Sequence, residues 1–91
     1  MSMMINLIKK TIINSIPNAT VYVFGEDGEH FQSIVISDTF EGLSLVKQHQ
    51  LVMNSLTKEF NSNAVHALSL KTFTPEKWDL NKSNFNLDLA K

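Results

Sequence analysis

The chain has 91 residues, a net charge of −1 and no cysteine. One small domain fits that length, and a hydrophobic fraction of 43% suits an ordered globule rather than a disordered segment. The absence of cysteine excludes disulfides, thiolate nucleophiles, cysteine-based zinc sites and an iron–sulfur cluster held by this chain's own thiolates. All eight basic residues are lysines, so the forked contacts that arginine makes with phosphate and guanine are missing.

Residues 4–16 carry Ile5, Ile8, Ile12 and Ile16 at helical spacing, with Lys9 and Lys10 off that stripe. One amphipathic helix is predicted, ended by Pro17-Asn18. The same basic, acid-free segment could be read as a transit peptide, but a first helix is the simpler reading for so short a domain. Residues 20–25 (TVYVFG) and 30–36 (HFQSIVI) are β-branched and aromatic and read as two strands. Asp27-Gly28 between them is a hairpin turn signal, because glycine accepts positive φ, so the strands should pair antiparallel.

Residues 37–43 form a loop pivoting on Gly42, where either a positive φ or a close backbone approach would require glycine. Ser44 or a neighbour caps the second long helix, which is predicted to run to about Phe60 on a stripe of Val46, His49, Met53, Leu56 and Phe60. Residues 65–73 (VHALSLKTF) read as a third strand, with His66, Leu68, Leu70 and Thr72 on one face. Thr74-Pro75 is an N-cap followed by proline at the first helical position, and it opens a short helix over 75–80. The tail, with Phe85, Leu87 and Leu89 alternating with polar residues, either docks as an extended segment or frays.

The order is α-β-β-α-β-α. The expected fold is α+β: a three-stranded sheet, one hairpin plus a crossover strand, with helices packed on one face. The domain is expected over residues 1–80 and a C-terminal tail over 81–91. No run is long and apolar enough to read as a membrane span, and a cytoplasmic location is expected. No activated nucleophile or acid–base pair stands in one motif, so enzyme activity is not expected.

Several ordered pieces carry a resemblance: Phe40-Glu41-Gly42, the Val46-Lys47-Gln48-His49-Gln50 segment, and His66-Ala67-Leu68 leading into Lys71-Thr72 and Thr74-Pro75-Glu76-Lys77-Trp78. Together they resemble the BolA family of small stress-response and iron-linked proteins over about residues 4–80. The resemblance implies a fold similar to the type II KH domain, although the Gly-x-x-Gly phosphate clamp is missing. It also implies a partner, a monothiol glutaredoxin of the CGFS type, and a [2Fe-2S] cluster shared with that glutaredoxin and glutathione, with none bound when the chain is alone. On this pattern His66 is a cluster ligand. A second ligand comes from the loop between the first two strands, where His30 is the only candidate.

Other readings stand beside these. His66 could fill the end of its strand, His30 could cap a strand edge in solvent, and His49 reads as a structural histidine on its helix. A three-histidine zinc site from His30, His49 and His66 matches no standard spacing. Some members of the family affect transcription and bind DNA. Lys47 and Lys71 are the candidate contacts for that alternative, a KH-like DNA-binding regulator, but Leu45 and Gln48 stand where a basic residue would help. Trp78 is read as a lid over the core. A homodimer through strand edges is a third arrangement.

Overall fold

The computed structural model describes residues 3–25, 30–58, 68–85 and 87. Helix α1 spans Met3–Ser15, and Ile5, Ile8, Ile12 and Ile16 are all buried, as their spacing requires. Proline at 17 offers no N–H to continue the helix. Asn18 then takes a left-handed conformation (φ 58°), which asparagine tolerates better than most residues and which turns the chain into the sheet.

Strands β1 (Thr20–Phe24) and β2 (Phe31–Ile36) pair antiparallel, with Thr20 opposite Ile36 and Phe24 opposite Gln32. The hairpin expected from Asp27-Gly28 is therefore present, while the turn itself, 26–29, lies outside the described residues. Gly25 closes the end of β1 for a steric reason. A Cβ there would stand 2.6 Å from the Phe31 ring and 3.2 Å from Ile5 Cδ1.

A 3-10 turn at Asp38–Phe40 follows β2, capped by Ser37, whose hydroxyl accepts from the Thr39 N–H. The same hydroxyl donates to the Pro17 carbonyl at 2.7 Å, tying this turn to the end of α1. Phe40 is fully buried. Gly42 has φ +78° and open space where a Cβ would go, so it serves a positive φ and not a close approach.

Helix α2 spans Leu45–Thr57, with Ser44 as N-cap accepting from the Lys47 N–H. It stops short of Phe60, which lies outside the described residues. Its buried side is Gln48, Val52, Ser55 and Leu56. The predicted stripe is thus corrected: Leu56 is on it, His49 and Met53 lie at its margin half-buried, and Val46 is 66% exposed. The helix is rotated because Gln48, a polar residue that periodicity assigns to solvent, has its amide satisfied inside.

Strand β3 (Leu68–Phe73) lies parallel to β2, Phe31 against Leu68 and Ile36 against Phe73, giving the order β1-β2-β3. Leu68, Leu70 and Thr72 turn inward, as the alternation predicts; the 65–67 part of that strand prediction lies outside the described residues. Central β2 is apolar on both faces, which matches cover on both sides of the sheet. On one side, the two long helices enclose Val21, Val23, Phe31, Val35, Phe40, Val52 and Leu56.

The short helix α3 (Pro75–Asn81) packs on the other side, an addition to the expectation of a single covered face. Thr74 caps it and Pro75 is at its start. Trp78 presses on Ile34 and Ile36, its ring centroid 5.7 Å from Tyr22, 5.5 Å from Phe73 and 5.6 Å from Phe85. Phe85 and Leu87 pack into this cluster, so the described part of the tail docks. Leu89 lies outside the described residues. No helix among them is long and apolar enough to cross a membrane.

Candidate functional site

Strands β2 and β3 start at the same end of the sheet because they are parallel and Phe31 is level with Leu68. His30 is the residue immediately before Phe31 and is exposed. The Phe31 ring and Ile5 Cδ1 occupy the space where a Cβ on Gly25 would stand. His66 lies outside the described residues, two positions before Leu68 in the sequence. No group of three or more histidine, aspartate or glutamate side chains that could hold a metal ion occurs among the described residues.

His49 stands elsewhere. It is half-buried on α2 and lines a hollow of about 230 Å³ with Leu45, Leu70, Lys71, Thr72 and Phe73. Thr72 is level with Val35, four positions along β2 from Phe31, or roughly 13 Å of strand. His30 and His49 are therefore at different levels of the sheet, and the described chain does not bring them together as a zinc site would need.

The two candidate nucleic-acid lysines are also apart. Lys71 lines the hollow beside β3, whereas Lys47 lines another with Leu43, Gln50, Leu51 and Asn54. Both are exposed, and they form no single basic stripe.

The sequence reading missed the network around Gln48. Its Nε2 donates to the Leu43 carbonyl at 2.9 Å and, at 3.5 Å, to that of Phe40. Its Oε1 accepts from the Thr72 hydroxyl at 2.7 Å. One buried amide thus joins the loop around Gly42, the first half of α2 and the end of β3. The available signal was its place four residues before Val52 and eight before Leu56, on a helix whose other apolar residues do not form one clean stripe. Trp78, read as a lid, is indeed buried, and it covers the sheet face opposite α2.

A three-stranded sheet ordered β1-β2-β3, with two long helices on one face, a Thr-Pro-capped short helix on the other and a histidine just before β2, defines a small α+β domain. A family profile described as BolA-like protein matches residues 6–77, and the chain belongs to that family. It is 38% identical over 73 residues to the acid stress protein IbaG of Escherichia coli K12, covering 80% of this chain and 86% of that one. Among solved structures it is similar to a bolA protein homologue from Coxiella burnetii (TM-score 0.68, 40% identity, 79% of this chain and 91% of that one). It is also similar to the BolA domain of SufE1 from Arabidopsis thaliana (TM-score 0.69, 32% identity, 85% and 98%).

Proposed function

We propose that this chain is an adaptor that binds a monothiol glutaredoxin of the CGFS type and shares a [2Fe-2S] cluster with it and glutathione, in cluster trafficking or iron-linked regulation. The observation that carries the reading is membership of the BolA-like family in a chain with no cysteine. A [2Fe-2S] cluster takes four protein or small-molecule ligands, usually thiolates, with histidine able to replace two on one iron. This chain can offer imidazoles only. A jointly held cluster, with thiolates from the glutaredoxin and glutathione, suits that donor set.

His66 is the proposed first ligand and His30 the proposed second. His66 stands two residues before Leu68 in the sequence, and Leu68 is level with Phe31. His30 stands immediately before Phe31. Two imidazoles on one iron would raise the cluster potential and make ligation sensitive to acid, since a protonated imidazole cannot bind metal. The DNA-binding alternative has less support here: no arginine, a net charge of −1, and Lys47 and Lys71 on separate hollows.

Co-expression with a CGFS glutaredoxin, followed by purification with glutathione, tests the reading. A coloured heterodimer with visible absorption and circular dichroism bands is expected, and His66→Ala should weaken or bleach them. A spectrum and stability unchanged by that substitution would show that His66 is not a ligand.

A further inference from the structure

Among the described residues, strand β3 has one neighbour in the sheet. Along a strand, each residue's N–H and C=O point to the same side, and the sides alternate. The Phe73 carbonyl accepts from the Ser37 N–H at 3.1 Å, on the side of β2. Ser69, Lys71 and Phe73 therefore address β2, and Leu68, Leu70 and Thr72 address the open edge. Exposed edges can take up another strand, and a charge on the edge selects against like-charged partners.

This edge is bordered on one face by α2, through Leu45 and His49, and the space between is the hollow of about 230 Å³. Leu45 is 60% exposed, an apolar side chain with little beneath it in this chain. On the other face stands Lys71, exposed in mid-strand. The hollow's lining holds Lys71 and His49 and no carboxylate, and helix α2 carries no acidic residue at all.

We infer that the open edge of β3 docks an extended, acidic segment of a partner protein as a fourth strand. Its side chains alternate: apolar ones enter the hollow against Leu45 and Leu70, and carboxylates lie beside Lys71. A second copy of this chain fits less well. An antiparallel pair of β3 strands, centred on each other, sets the two Lys71 ammoniums opposite or one step apart on one face, and like charges there oppose pairing. A nucleic-acid strand would find one lysine at this edge and no arginine. The site stands at the edge of β3 whether or not the chain shares a cluster, so the inference is independent of the proposed function.

The test is fluorescence anisotropy with the full chain and a capped, labelled nine-residue peptide of alternating valine and glutamate. Saturable binding that weakens with salt is expected. Amide shifts in nuclear magnetic resonance should fall on Leu68, Leu70 and Thr72, with side-chain shifts at Leu45. Lys71→Glu lies on the surface and should leave the fold intact. It should weaken binding about threefold to tenfold and favour a valine–lysine peptide instead. Absent binding, shifts elsewhere, or a Lys71→Glu variant that binds both peptides as the parent does would overturn the inference. So would a single-stranded oligonucleotide displacing the peptide from this edge, or sedimentation showing a dimer that the peptide dissolves.

Discussion

Replacing Thr72 by valine keeps the shape of the side chain and removes one hydrogen-bond donor. The hydroxyl lost is the partner of Gln48 Oε1 at 2.7 Å, and both residues are buried. Water cannot readily replace it, so an amide oxygen is left without this donor, at a cost of about 1–3 kcal/mol. The valine methyl group returns part of that by apolar burial, leaving a net loss of roughly 1–2 kcal/mol. Thermal unfolding should shift down by about 4–16 °C for a domain of this size. Gln48→Met alone should cost at least as much, because it also strips the Leu43 carbonyl of its 2.9 Å donor. The double variant separates a network from two unrelated sites. In urea unfolding, the pair should lose less than the sum of the singles by about 0.5–3 kcal/mol. A Thr72→Val loss below about 0.5 kcal/mol, or strict additivity of the pair, would refute the claim that this amide fixes the rotation of α2.

Gly42→Ala should destabilise by about 1–2 kcal/mol through its positive φ alone, and Gly42→Asn by less, by urea titration. Gly25→Ala forces the Phe31 ring aside and should cost about 1–3 kcal/mol, with chemical-shift changes reaching His30. Ser33→Ala removes a buried hydroxyl that has no hydrogen-bond partner among the described residues, and it should leave the melting temperature unchanged or raise it by a few degrees. Trp78→Ala opens the cluster with Tyr22, Phe73 and Phe85 and should cost about 3–5 kcal/mol, read by circular dichroism because the protein's only tryptophan is gone.

Much of the fold is legible where one principle acts alone. The isoleucines of α1 have a single periodic reading, and nothing polar competes with them. Ser44 and Thr74 cap their helices through local geometry that requires only a few residues of context. Antiparallel pairing of β1 and β2 also follows from short-range signals. The rotation of α2 was not legible, because Gln48 looks solvent-facing until the carbonyls of Phe40 and Leu43 and the hydroxyl of Thr72 are brought to it by tertiary structure. The position of α3 is a similar case. The alternation of Tyr22, Phe24, Ile34 and Ile36 shows that the second face of the sheet is apolar, but only the aromatic packing of Trp78 shows what covers it. The sequence puts His30 at the start of the second strand, and the structure begins β2 one residue later, at Phe31. The opposition of His30 and His49 along the sheet follows from the parallel register, which composition does not encode.

Pulsed electron paramagnetic resonance of the reduced heterodimer, with nitrogen-15 histidine in this chain alone, measures the central claim directly. The account predicts hyperfine couplings from imidazole nitrogen that change with the isotope, are lost or reduced to one nucleus in His66→Ala, and persist in His49→Gln. A coloured complex with no coupling to this chain's histidines, or with couplings that survive His66→Ala and vanish in His49→Gln, would contradict it.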